Sequence, residues 1–226
     1  MEDTRLAEIE AFLFLPFRGT LREFGVLAMK ASIALMKILK SKGVDTIFAL
    51  SGNQIMVLFD ACLDENIRII HVRHEAAALY MAEAYARMTG RIGVAMVTAG
   101  AGLCNALAPL FTATQSQTPI LLLSGDSEAE LDGRGSFQEM EQVKITCALT
   151  KYSQRINDAQ NLIPVASKAI KLAENGVPGP THLALAADIL SSEVAEPFTY
   201  PEQPHKDIPN DLQPSKKLTK AFLSAK

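Results

Sequence analysis

Among the residues that could do chemistry, Glu75 stands out by its position. It follows the apolar stretch Ile67 to Val72 and opens a helical stretch rich in small residues, Arg73-His74-Glu75-Ala76-Ala77-Ala78 through Ala86-Arg87-Met88-Thr89-Gly90. A strand-to-helix junction in a parallel α/β sheet lies at the carboxyl edge of the strands, where small molecules bind. A carboxylate there can accept a hydrogen bond from a ligand or trade a proton with it. The helix dipole also favours negative charge in a first turn, so position alone explains a structural glutamate equally well. The three alanines after Glu75 leave room for a flat ring to approach. Ala82, Ala84 and Ala86 are expected to pack closely on the sheet.

Two other junctions carry the same kind of signal. Val97-Thr98-Ala99-Gly100-Ala101-Gly102, with Asn105 following, comes after a strand and opens a helix. Its glycines let backbone N–H groups come close to a ligand. A dinucleotide-binding turn needs its third glycine at position 105, which is asparagine, and this disfavours a Rossmann oxidoreductase. The turn Ala49-Leu50-Ser51-Gly52-Asn53 ends an earlier strand. A tight structural turn is the plain alternative at both places.

These residues need a scaffold, and the rest of the chain supplies its pattern. Apolar segments at 46–50, 67–72, 92–97, 119–123 and 181–185 alternate with amphipathic ones at 54–65, 75–89, 103–115 and 159–174. An earlier helical period (Ile33, Met36, Leu39) starts near Met29 and ends at Gly43. Strands spaced by helices imply parallel neighbours joined by crossovers, hence a doubly wound α/β sheet with helices on both faces. Residues 124–150 read as one long polar connection, and loops of that length are usually functional or disordered.

The chain divides into an extension at 1–28, a domain at 29–192, and a segment at 193–226. That last segment is punctuated by Pro197, Pro201, Pro204, Pro209 and Pro214 and closes on the onset of a further helix. It reads as a linker into a further domain, so a longer chain is expected.

Bulk properties exclude several function classes. The 226 residues are 48% hydrophobic and 21% charged, with a net charge of −3, which gives no electrostatic case for nucleic acid or an anionic membrane. Cys62, Cys104 and Cys147 lie far apart without metal-like spacing and read as reduced structural thiols, Cys104 packing at a helix start. That usage suggests a cytoplasmic or organellar-matrix protein. The apolar run 11–17 is broken by Pro16 and is too short for a membrane span.

Taken in order, strand, Arg73-His74-Glu75, small-residue helix and Ala86-Arg87-Met88-Thr89-Gly90 resemble the pyrimidine-binding domain of thiamine diphosphate enzymes. The resemblance runs from about Lys30 to Leu190. Thr98, Gly100, Gly102 and Asn105 fit the family's Thr-Ser-Gly-Pro-Gly…Asn phrase, with Ala101 in place of the usual proline. Gly52 fits its Gly-x-Pro-Gly loop, with Ser51 for proline. Phe137-Gln138-Glu139-Met140 is similar to the acetolactate synthase branch, and Gly179-Pro180-Thr181-His182-Leu183 to the family's Gly-Pro-Val-His-Leu strand.

The resemblance implies the thiamine diphosphate-binding fold, with Glu75 catalytic through a hydrogen bond to the aminopyrimidine ring. Ser51, Gly52, Thr98, Gly100, Gly102 and Asn105 would seat the cofactor. Phe137 and Gln138 would line a substrate channel. It further implies decarboxylation of a 2-oxo acid with acyl transfer, as in branched-chain amino acid biosynthesis. Mg²⁺ would come through a diphosphate-binding domain, FAD is possible in a full-length enzyme, and the partner would be a second copy (dimer or tetramer) or a separate diphosphate-binding subunit. The family's metal phrase, Gly-Asp-Gly with a later Asn, has only a weak echo in Gly125-Asp126-Ser127 and Asn157. No metal site is assigned to it. The alternative outside enzymology is a dimerising, regulatory or non-catalytic remnant.

Overall fold

The computed structural model describes residues 28–195. The expected extension, apart from Ala28, and the proline-rich segment beyond residue 195 lie outside them. In chain order the elements are β1 (Ala28–Lys30), α1 (Ala31–Ser41), β2 (Thr46–Ala49), α2 (Met56–Asp64), β3 (Arg68–His71), α3 (Glu75–Thr89), β4 (Gly93–Val97), α4 (Ala101–Gln115) and β5 (Ile120–Asp126). They continue with α5 (Gln142–Thr146), β6 (Tyr152–Ile156), α6 (Ala159–Glu174), β7 (Thr181–Ala186), α7 (Ala187–Ser191) and β8 (Glu193–Ala195).

Six strands form one parallel sheet in the order β3-β2-β4-β5-β7-β6. Strand residues alternate between the two sides of a sheet, and the two cores follow from that alternation. Ile47, Ala49, Val94, Met96, Leu121, Leu123, Leu183 and Leu185 join α1, α2 and α6 on one side. Phe48, Ala95, Val97 and Leu122 join α3 and α4 on the other. The central strand β5 is buried along its whole length, so Leu121, Leu122 and Leu123 are a continuous apolar run rather than an alternating one. Burying each such side chain contributes about 1.5–3 kcal/mol. This is the expected doubly wound α/β sheet with helices on both faces.

Helix α3 lies unusually close to β4. A Cβ at Gly93 would sit 2.2 Å from the Ala82 carbonyl oxygen. Ala78, Ala82 and Ala86 are buried on that contact, as the small-residue spacing implies, whereas Ala84 is exposed. Residues 28–30 and 193–195, at the two limits of the described chain, pair antiparallel as β1 and β8.

Several elements depart from the sequence reading, the short β1, α7 and β8 among them. Strand β6 was not anticipated. Its residues Tyr152-Ser153-Gln154-Arg155-Ile156 are mostly half-buried on the sheet edge, so no apolar run announces it. The polar connection begins later than expected, because β5 continues through Ser124, Gly125 and Asp126, all buried. It also contains α5. Cys104 is exposed rather than packed, as is Cys147, while Cys62 is buried beside Met36 and burial pushes its thiol up to about 12.

The remaining loop, residues 127–141, is fastened by polar groups of its own and of β6 and α7. Arg155 of β6 donates from Nε to Asp126 Oδ2 at 2.6 Å and from Nη2 to Asp132 Oδ1 at 2.7 Å. That guanidinium holds the Asp132 carboxyl below the usual carboxylate range. The Glu139 carboxylate accepts the backbone N–H groups of Gly133 (2.6 Å) and Ser136 (2.9 Å), which lowers its pKa too. The Asp188 carboxylate of α7 accepts the backbone N–H of Ala129 in the loop and that of its neighbour Ile189.

Candidate functional site

The carboxyl ends of β2 and β4 and the first turns of α3 and α4 converge on Glu75. His74 caps α3, its Nδ1 accepting the Ala76 N–H at 3.2 Å, which places Glu75 in the first helical turn. The Glu75 side chain is buried at 8% exposure. One of its oxygens, Oε2, accepts a hydrogen bond from Asn105 Nδ2 at 2.9 Å. No donor among the described residues reaches Oε1. That atom faces Gly102, where a Cβ would lie 3.3 Å from Oε1 and 2.6 Å from Thr98 Cγ2. A side chain at position 102 would collide with Thr98, so glycine lets the first turn of α4 pack against the turn after β4 beside that oxygen.

The neighbouring turns close around the same point. A Cβ at Gly52 would fall 2.4 Å from both Cβ and Oγ1 of Thr98, so the turn after β2 presses directly on the turn after β4. Gly100 has φ +57°, a region side chains rarely adopt, and a Cβ there would meet Gln138 Cβ at 2.8 Å. Thr98 Oγ1 donates to Gln54 Oε1 at 2.5 Å, and Gln54 Nε2 donates to Gln138 Oε1 at 3.1 Å. Gln138 itself holds a positive φ of 63°, uncommon outside glycine.

The structure thus brings together Gly52, Glu75, Thr98, Gly100, Gly102, Asn105 and Gln138. Ser51 sits exposed at the rim. Phe137 is 75% exposed and makes no ring contact among the described residues. Gln54 was not singled out from the sequence, where it reads as the start of the helix after β2. It lies instead in a one-turn 3-10 helix (Asn53–Ile55), from which its side chain turns back to Thr98. The only sequence signal for it is a polar side chain two residues past the glycine of a ligand-edge turn.

The weak metal echo is otherwise engaged. Asp126 is tied to Arg155 and its Oδ1 accepts the Ser127 N–H at 2.8 Å, while Asn157 is exposed after the far edge strand. Among the described residues no group of three or more His, Cys, Asp or Glu side chains is arranged to hold a metal ion. Nor is any of their helices long and apolar enough to cross a membrane.

A second buried polar cluster lies further along the same side of the sheet. His182 of β7, the register partner of Leu122, is fully buried. Its Nε2 is 2.8 Å from Ser124 Oγ, and its Nδ1 is 2.9 Å from both Thr146 Oγ1 and Ser153 Oγ. Burial pushes the imidazole down to about 3, so the ring is neutral.

A parallel sheet covered on both sides, with a glutamate and close-packed glycine turns at its carboxyl edge, defines an α/β domain of the kind that binds a ligand at that edge. The comparisons with known proteins agree. The family model described as "Thiamine pyrophosphate enzyme, N-terminal TPP binding domain" matches residues 29–145, and the chain belongs to that family. A 2-hydroxyacyl-CoA lyase 2 of Xenopus laevis is 40% identical over 153 residues, covering 68% of this chain and 24% of that protein. The same-named protein of Homo sapiens is 37% identical over 153 residues, again 68% and 24%. An acetolactate synthase large subunit of Lactococcus lactis is 32% identical over 197 residues, 85% of this chain and 34% of that protein. The chain therefore spans between about a quarter and a third of the length of these relatives.

The residues present fit the pyrimidine portion of thiamine diphosphate. Glu75 Oε1, which no donor among the described residues reaches, lies where the turns after β2 and β4 meet, with Gly52 and Gly102 packed on Thr98. A heterocycle with a ring nitrogen offers the partner that this single acid can take.

Proposed function

We propose that this chain supplies the pyrimidine side of a thiamine diphosphate site in an acetolactate-synthase-like enzyme that decarboxylates a 2-oxo acid and transfers the acyl unit. The observation that carries the reading is Glu75, buried, with Oε2 fixed by Asn105 and Oε1 left for a ligand. When bound, thiamine diphosphate supplies a nucleophilic carbon and an electron sink for cleavage beside a carbonyl. With the cofactor bound, Glu75 would hold or accept a proton at Oε1, and Asn105 keeps the carboxyl plane from turning. The Thr98 hydroxyl and the backbones of Ser51, Gly52 and Gly100 would seat the ring, and a bound ring would itself exclude water from that proton.

Mg²⁺ and the diphosphate would be held by a diphosphate-binding domain, supplied by a longer chain or by another subunit. A second copy of this chain is the proposed neighbour. Tyr80 and Met81 on α3 and Phe111 on α4 are about half exposed, which supports an apolar contact on the helices that lead from the site.

A second reading, cleavage of a 2-hydroxyacyl-CoA, is favoured by the higher identity to the Xenopus laevis protein. Both readings place the same demand on Glu75, so substrate decides between them. The test is calorimetric titration with thiamine diphosphate and Mg²⁺, first of the chain alone and then with a diphosphate-binding domain. Binding and turnover only in the combination are expected. Release of CO₂ from a 2-oxo acid supports the first reading, and release of an aldehyde from a 2-hydroxyacyl thioester supports the second. Folded protein silent in both arms would overturn the enzyme reading in favour of a non-catalytic remnant.

A further inference from the structure

The hydrogen bonds leading away from Thr98 have a direction. A hydroxyl carries one proton, and Thr98 commits it to Gln54 Oε1 at 2.5 Å. A primary amide is a carbonyl at one side and an NH₂ at the other. With its carbonyl turned to Thr98, Gln54 turns its NH₂ to the loop, where Nε2 meets Gln138 Oε1 at 3.1 Å. Gln138 accepts with its carbonyl, and its own NH₂ donates to no acceptor among the described residues. Both glutamines are seated by glycines. A Cβ at Gly125 would lie 2.6 Å from Gln54 Cβ, and one at Gly100 would lie 2.8 Å from Gln138 Cβ.

We propose that Gln54 is a positioning residue that fixes which way the Gln138 amide points, so that the site offers the Gln138 NH₂ to an oxygen of the substrate. A carboxylate or carbonyl oxygen satisfies that donor; a substrate group that is only a donor does not. At the other end of the relay, Thr98 keeps only lone pairs and can accept an N–H from the ring seated beside it. The relay therefore accepts on the cofactor side and donates on the substrate side. The polarity rests on the hydrogen bonds alone; its effect on substrate rests on the proposed function.

Two variants separate polarity from mere contact. Glu at position 54 can still accept from Thr98 but cannot donate, so in Gln54→Glu the Gln138 amide must turn over to supply the proton. Gln54→Ala removes the relay and leaves Gln138 free to turn. In ¹⁵N-labelled full chain, both Gln138 side-chain amide protons should exchange quickly with water in the natural protein. In Gln54→Glu one of them should slow by about tenfold or more, as expected for a proton held in a charge-assisted bond. Slow Gln138 protons in the natural protein, or no change in Gln54→Glu, would overturn the proposal.

In an active assembly, Gln54→Glu should raise KM for the substrate about tenfold with thiamine diphosphate affinity within about twofold. Gln54→Ala should raise KM by only about threefold. Parallel loss of substrate and cofactor affinity, or equal effects of the two variants, would also overturn it. If the natural protein turns nothing over in any assembly, the proposed function fails, while the amide-exchange arm still decides the polarity.

Discussion

Glu75 and His182 are both buried, both ionisable, and both belong to the side of the sheet that α3 and α4 cover, yet they are treated in opposite ways. His182 has a partner on each ring nitrogen, and the hydroxyls of Ser124, Thr146 and Ser153 close around it. Glu75 has a partner on one oxygen, and the other lies beside Gly102 with no donor reaching it among the described residues. That oxygen is not among the buried atoms that lack a partner, so the fold closes fully around His182 and leaves Glu75 accessible. Burial alone would not have separated the two. The count of satisfied atoms does.

The sharpest way to break the contrast is Glu75→Gln. Glutamine still offers Asn105 an acceptor, so the fold should hold, but it cannot trade a proton. Turnover of the active assembly should fall about 10²- to 10⁴-fold, the usual size of a general acid–base contribution, with the melting temperature little changed. Turnover within about threefold of the natural protein would put Glu75 in the same class as His182. The mirror experiment is His182→Leu, which should lower unfolding free energy in urea by about 2–3 kcal/mol by stranding the Ser124 hydroxyl, and leave cofactor affinity in the assembly unchanged.

A pH series sharpens the same point. Folding holds His182 down at about 3, below its ordinary 6.5, so between those values the unfolded chain binds a proton that the folded chain refuses. Stability from this residue is therefore complete above about pH 6.5 and is lost as pH falls, by about 1.4 kcal/mol per pH unit. Urea unfolding at pH 6 and pH 5 should show that increment, and His182→Leu should lack it. Smallest in effect, Asn105→Ala frees the Glu75 carboxyl to turn and should weaken cofactor binding in the assembly by about tenfold, read by calorimetry.

The two regions were also unequally legible in the sequence. Glu75, Thr98, Gly100, Gly102 and Asn105 sit next to strand ends with clear apolar signals, so local order was enough to single them out as candidates. Strand β6 gave no such signal, because an edge strand with half-buried Tyr152, Ser153, Gln154 and Arg155 has no apolar run. Without that strand, nothing indicated that Arg155 would reach Asp126 and Asp132, or that Ser153 would meet His182 across the sheet. Gln54 was hidden for a different reason. Its role lies in contacts to residues 44 and 84 positions away, which only the folded chain brings within reach. The Asp126 echo, to which no metal site was assigned, belongs to a carboxylate already paired with a guanidinium.

The small ribbon of β1 and β8 has a mechanical consequence. Ala28 pairs with Ala195, Met29 with Val194 and Lys30 with Glu193, so the chain enters and leaves the domain side by side. A pull on the two ends loads these three pairs one after another, opening them like a zipper, instead of loading them together in shear. The domain hangs from a single corner. Tension from flanking chain would reach this three-pair clasp before it reached the six-stranded sheet or the cleft around Glu75.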